Sequence, residues 1–100
     1  MRVIFTPLAE HHIDRLHEYI TKHASEERAD GYVGRIVEFC NRLTTLPLRG
    51  TRRDDLLPGL RVTGFERRVN VAFVVTADAV LIEGIFYGGQ DFEAAFRDSA

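Results

Sequence analysis

The last third of this 100-residue chain holds three apolar, β-branched segments in close succession, and no other feature restricts the fold as strongly. Leu60-Arg61-Val62 leads to Arg67-Arg68-Val69-Asn70-Val71-Ala72-Phe73-Val74-Val75. A short break then precedes Val80-Leu81-Ile82-Glu83-Gly84-Ile85-Phe86-Tyr87. Valine, isoleucine, phenylalanine and tyrosine suit a pleated, half-buried surface, so these segments predict three strands. Successive strand side chains point to opposite faces. Val69, Val71, Phe73 and Val75 therefore share one face of the middle strand, while Arg68, Asn70, Ala72 and Val74 share the other. Thr76-Ala77-Asp78 is a turn-sized gap, which suits antiparallel neighbours.

The residues before the sheet read as a short strand and two helices. Arg2–Phe5 is β-prone, and Thr6-Pro7 is a helix start: a hydroxyl cap followed by proline where its missing N–H costs nothing. Leu8, Ile13, Leu16 and Ile20 then recur at helical spacing through His23. Ser25 marks a second start, with Glu26 and Glu27 complementing the helix dipole. Ala29, Val33, Ile36, Val37, Cys40 and Leu43 form the second apolar stripe, which Pro47 should end near Leu46. So few polar residues separate the two helices that an antiparallel hairpin is expected. Pro47, Gly50, Pro58 and Gly59 punctuate an irregular stretch over 48–59, and Phe92, Ala95 and Phe96 fit a short closing helix. The resulting order, β-α-α-β-β-β with a short C-terminal helix, belongs to the α+β class. It predicts a helical hairpin packed on a small antiparallel sheet, in one domain over residues 1–100.

Composition narrows the setting. A hydrophobic content of 45% is enough to bury a modest core. Val3-Ile4-Phe5 is too short for a membrane span or a secretory signal, and Pro7 cuts it off. A lone Cys40 forms no internal disulfide, so a cytoplasmic setting is expected. A net charge of −2 argues against direct DNA binding through bulk attraction to phosphates. The charge is uneven, however. Arg49, Arg52, Arg53, Arg61, Arg67 and Arg68 fall in one stretch, opposed by Asp54, Asp55 and Glu66, while Glu83, Asp91, Glu93 and Asp98 make the C-terminal part acidic. A local basic face suits docking to one defined acidic partner.

Few residues carry the signature of chemistry. His11, His12, His17 and His23 all fall on the first helix, yet no two are three or four positions apart, the spacing that lets helical neighbours share a metal. They read as solvated surface histidines, and neither a metal nor a cofactor is expected. Cys40 lies on an apolar stripe and reads as packing rather than as a nucleophile. Gly88-Gly89 follows a strand, but Asp91 behind it would repel a phosphate.

Arg61, Arg67 and Arg68 lie on or beside strands and, with Tyr87 at the end of the last one, are expected to line one surface. Metal-free RNA cleavage needs a base, an acid and cations that hold developing negative charge. Arginine supplies only the cation, because it stays protonated. Glu66 and Glu83 are the candidate bases and Tyr87 a candidate acid, while the sole lysine, Lys22, is on the first helix. The alternative is that these arginines are ordinary solvated or ion-paired strand ends.

Several short motifs, taken in order, resemble the RelE/ParE family of bacterial type II toxins. They are the Pro-led first helix, Leu46-Pro47-Leu48-Arg49-Gly50, Leu57-Pro58-Gly59-Leu60-Arg61, the Val-Asn-Val-Ala-Phe-Val-Val strand, and Ile85-Phe86-Tyr87-Gly88-Gly89-Gln90-Asp91. Within that family the sequence is more similar to ParE. The resemblance implies inhibition of DNA gyrase, with Arg61, Arg67, Arg68, Tyr87 and Gln90 as the residues expected to meet the target. A RelE-like member would instead cut messenger RNA on the ribosome, and Arg61, Arg68 and Tyr87 would then be the catalytic positions. A non-toxic antitoxin-binding module is a third reading. The resemblance also implies a hetero-oligomer with a cognate antitoxin, ParD-like or another small DNA-binding protein, with any DNA binding residing in that partner. Tyr19, Tyr32 and Phe39, at the margins of the helical stripes, are the expected antitoxin contacts.

Overall fold

Both helices start at the expected caps. The Thr6 hydroxyl accepts from the Ala9 N–H at 3.2 Å and opens α1 (Pro7–His23). The Ser25 hydroxyl accepts from the Arg28 N–H at 3.1 Å and opens α2 (Glu26–Arg42). The computed structural model describes residues 1–97, so Asp98, counted above in the acidic C-terminal part, lies outside the described residues. The remaining elements are β1 (Arg2–Phe5), β2 (Thr51–Arg52), β3 (Leu60–Phe65), β4 (Val69–Val75), β5 (Ala79–Tyr87) and α3 (Phe92–Arg97). Helix α2 ends short of Leu46. The Leu43 N–H turns back to the Cys40 carbonyl and the Thr44 hydroxyl donates to the Asn41 carbonyl, which tightens and closes the last turn. Among the described residues, no helix is long and apolar enough to cross a membrane.

The helical hairpin packs on a five-stranded sheet of order β1-β5-β4-β3-β2. The sheet is mixed rather than purely antiparallel. Strand β1 runs parallel to β5, from Arg2 opposite Ala79 to Phe5 opposite Ile82: the two helices carry the chain to β2 at the opposite edge, and the antiparallel run β2-β3-β4-β5 brings it back beside its own start. Strand β2 lies inside the stretch expected to be irregular. Its two residues pair with Arg61 and Val62 and are too few to leave a pattern in the sequence.

The alternation expected for β4 is present. Val69, Val71 and Phe73 are buried against Leu16, Ile36 and Cys40, with Val75 half-buried beside them. Ala72 and Val74 face the other way, into a second cluster with Leu60, Val62, Phe86 and Phe96 of α3. Leu8 departs from the expected stripe and is exposed, its place taken by Ala9. Cys40 is fully buried, and burial pushes its thiol up to about 12, which suits packing and not nucleophilic chemistry.

Strand β5 serves both clusters through a β-bulge. Its ladder with β4 passes from Ile82 opposite Phe73 to Gly84 opposite Ala72, skipping Glu83. The extra residue reverses the parity of the strand. Val80 and Ile82 face the helices before the bulge, and Ile85 and Tyr87 face them after it. Glycine fits the bulge because a Cβ at position 84 would stand 2.6 Å from the Phe86 ring.

Because β1 is only four residues long, the last residues of β5 have no strand on that side among the described residues. Side chains close the gap. His12 Nδ1 accepts from the Ile85 N–H at 3.0 Å, and Gln90 Oε1 accepts from the Tyr87 N–H at 2.7 Å. His12 is therefore not a solvated surface histidine. Its ring packs 4.9 Å from that of Phe86, and burial, with His11 beside it, lowers its pKa below 6.5. His17 also has a partner, the Asp30 carboxylate at 2.7 Å, which joins α1 to α2.

Two measurements test these contacts. Gly50 sits at φ +85, and a Cβ there would stand 2.5 Å from the Val62 carbonyl oxygen, a backbone atom with little room to move. Left-handed geometry costs a side chain about 1–2 kcal/mol before any clash. Gly50→Ala is expected to destabilise the fold by about 2 kcal/mol or more, read as a lower urea midpoint. The second concerns pH. The unfolded state binds the His12 proton more readily, so stability that depends on the neutral ring is complete above pH 6.5 and is lost as pH falls through the lowered value. His12→Asn keeps an acceptor for Ile85 without the titration. Its urea midpoint is expected to fall less than the parent's between pH 6.5 and pH 5, as seen in parallel denaturation series.

Candidate functional site: a basic hairpin end beside an aromatic groove

The hairpin joining β3 to β4 turns on Glu66 and Arg67, both left-handed at φ 48 and 64. Two central residues of this kind match the twist of the flanking strands, although glycine or asparagine normally fills such positions. Glu66 is anchored by Arg35 of α2 through a two-pronged contact, Nε to Oε2 at 3.0 Å and Nη2 to Oε1 at 3.1 Å. Those hydrogen bonds hold the Glu66 carboxyl below its ordinary range. The turn is thereby tied to the helical layer, with Arg67 and Arg68 exposed at its tip. Among the described residues neither arginine has a carboxylate partner.

Tyr87 stands next to this turn, opposite Val69 in register, and the Gly88 N–H donates to the Arg68 carbonyl at 2.7 Å. Tyr32 meets it edge-on at 6.0 Å and Tyr19 lies 6.1 Å away, itself stacked on His23 at 4.3 Å. Among the described residues the buried Tyr32 hydroxyl has no hydrogen-bond partner. Burial chiefly raises its pKa, helped by Tyr87 and Glu66 and opposed by Arg35 and Arg68.

Two grooves meet at Tyr87. One, of about 620 Å³, lies between α1 and the end of β5 and is lined by His11, His12, Arg15, Tyr19 and Gln90. The other, of about 440 Å³, runs between the helices and the hairpin turn and is lined by Arg28, Tyr32, Arg35 and Arg68. Among the described residues, none of those lining either groove is acidic.

Arg68, Tyr87 and Gln90 are thus brought together, with Arg67 beside them. Arg61 is not. It lies opposite Phe73, toward the far end of the hairpin and roughly 15 Å along the strand from Arg68, where it donates to the Leu48 carbonyl at 2.8 Å. The rest of the basic stretch is largely neutralised. Arg52 pairs with Asp54 at 2.9 Å, and Arg53 bridges Asp55 and Glu93, both at 2.8 Å. Among the expected antitoxin contacts, Tyr19 is half exposed and Tyr32 half-buried. Phe39 is instead 7% exposed, packed 5.0 Å from Phe65 and covered by Arg49, because it stands three residues after Ile36 and four before Leu43, on the buried face of α2.

The candidate proton carriers are dispersed. Glu66 is occupied by Arg35, and Glu83 sits in the bulge with its carboxyl raised by burial, four positions from Tyr87 along β5. Reading the sequence alone missed His11, His12 and Arg15, which α1 places in the Tyr87 groove. The one available signal was length: a four-residue first strand cannot cover the whole edge of the last.

The chain matches the family model described as "ParE toxin of type II toxin-antitoxin system, parDE" over residues 3–92. It is similar in structure to the "Chromosomal ParDE TA system from P. aeruginosa", with a TM-score of 0.76 and 25% identity over 88% of this chain and 96% of that one. A comparison with curated proteins finds no match. With the family model spanning most of its length and the same α+β architecture in a ParDE structure, the chain belongs to the ParE toxin family of type II toxin-antitoxin systems.

Proposed function

We propose that this chain is a toxin domain that inhibits DNA gyrase in the bacterial cytoplasm and is neutralised by a cognate ParD-like antitoxin. The observation that carries this reading is the ParE family match over residues 3–92. Gyrase inhibition requires a contact surface and no chemistry of the toxin's own. The hairpin end offers one: Arg67 and Arg68 exposed on a rigid turn, with Tyr87 and Gln90 alongside. Arginine fits carboxylate and phosphate groups with paired, planar donors, and Arg and Tyr are common anchors of protein interfaces. Tyr19 and Tyr32, which flank Tyr87, are the aromatic residues open to an antitoxin.

RNA cleavage on the ribosome is a second reading, favoured by His11, Arg15 and Tyr87 lining one groove. Imidazole is the commonest general acid–base group, and an adjacent guanidinium could hold a phosphate.

Supercoiling assays with purified gyrase, run beside cleavage assays on translating ribosomes, separate the two. The chain is expected to block supercoiling and leave messenger RNA intact. Arg68→Ala and Tyr87→Ala should each weaken inhibition on the order of tenfold while circular dichroism stays unchanged, and Arg61→Ala should retain potency. Full inhibition by the Arg67, Arg68 and Tyr87 variants alike would move the contact surface elsewhere. Transcript cleavage without gyrase inhibition would replace the reading with the ribonuclease.

A further inference from the structure

We propose that the groove between the helical hairpin and the β3–β4 turn is a binding site for a small phosphate ester with a flat, apolar body, the chemistry of a mononucleotide. Such a site holds whether or not gyrase is the target.

The groove carries positive charge that the protein leaves unmatched. Arg28 of α2 and Arg68 of the turn both line it, both are exposed, and neither has an ion-pair partner among the described residues. They reach it from different layers, one from the helices and one from the sheet. Arg35 lines it too, lying over the Tyr32 ring at 5.1 Å, but its charge is met by Glu66. Two unmatched guanidinium groups suit a doubly charged phosphate, whose free oxygens take paired donors from more than one arginine. A lone carboxylate is satisfied by a single arginine and would leave the other without a counter-charge.

The rest of the lining suits the body of such a ligand. Ile20 and Ala24 of α1 stand with Tyr32 and Tyr87, so aliphatic and aromatic surface adjoins the cations. Aromatic side chains hold flat rings by stacking, and any nucleobase presents a π-face for it. The volume, about 440 Å³, falls within the roughly 300–1,000 Å³ of small-molecule sites. Tyr32 also has a donor to give. Among the described residues its buried hydroxyl meets no acceptor, and its raised pKa keeps the proton in place. A buried donor left unmatched is costly, and a ligand oxygen that reaches it removes that cost.

Gly31 keeps the groove open. Glycine ranks below every residue but proline inside a helix, yet Gly31 lies within α2. Its backbone is not left-handed, and a Cβ there would meet nothing within 4 Å, so neither geometry nor packing calls for glycine. A longer side chain at this position would project into the groove that Gly31 lines. Arg68 and Tyr87 also belong to the surface proposed to meet gyrase, so a bound ligand would compete for two of its contacts.

The test is an NMR titration of the full isotope-labelled chain with adenosine monophosphate, with inorganic phosphate and adenosine as separate arms. The nucleotide is expected to shift the amides of Gly31, Tyr32 and Arg68 saturably, and each half of it should bind about tenfold more weakly or worse. Gly31→Leu should abolish the shifts at Tyr32 and Arg68 while circular dichroism keeps its helical signal. Gly34→Leu, at a position equally open but outside the groove, should leave affinity unchanged. Arg28→Gln should weaken the nucleotide by about tenfold and leave adenosine unaffected. The inference is overturned if no saturable shift occurs, if affinity ignores both Gly31→Leu and Arg28→Gln, or if the shifts fall on His11 and Gln90 of the neighbouring groove instead. Phosphate or adenosine binding as tightly as the nucleotide overturns it as well, because the apolar walls or the arginines would then contribute nothing.

Discussion

The bulge at Glu83 is the constraint on which the architecture turns. A regular strand with residues alternating from Val80 to Tyr87 would send Ile85 and Tyr87 away from the helices and into the cluster built on Leu60 and Phe86. One additional residue reverses this, so the first half of β5 packs Val80 and Ile82 under the helical hairpin and the second half packs Ile85 and Tyr87 there too. The same displacement brings Gly84 and Phe86 onto the opposite face, where Phe92 and Phe96 of α3 close over them. The location of Tyr87, and with it the junction of the two grooves, follows from that one insertion.

Elements announced by local chemistry were legible in the sequence. Thr6-Pro7 and Ser25 act as the caps they resemble, and β4 alternates as its residues suggest. What depended on pairing at a distance was not. Nothing in Arg2–Phe5 discloses that it runs parallel to the last strand, and a two-residue β2 carries no period at all. The bulge leaves a trace only in Gly84, since Glu83 reads like any residue of a mixed strand.

The site shows the same division. Arg68 and Tyr87 were recognisable as neighbours because one precedes the middle strand and the other ends the last, and antiparallel pairing of those strands brings the two to the same end. Arg61 seemed equivalent on the same grounds, yet its register opposite Phe73 sets it at the other end of the hairpin. The histidines misled in the opposite direction. Helical spacing rightly spoke against a shared metal, but it could not reveal that His12 faces a strand end left uncovered by a short neighbour. Family resemblance supplied what residue patterns could not, the class of biological activity, and the family match over residues 3–92 agrees with it.

The left-handed pair Glu66 and Arg67 has one more implication. Residues without glycine's freedom are being held in an unfavourable region of backbone space, and the two-pronged grip of Arg35 on Glu66 helps to keep them there. The guanidinium groups at the tip are consequently displayed from a loop that has already surrendered most of its conformational entropy. A partner that seized them would lose less to ordering the chain than it would on a glycine turn, so rigidity stored during folding would be returned as affinity.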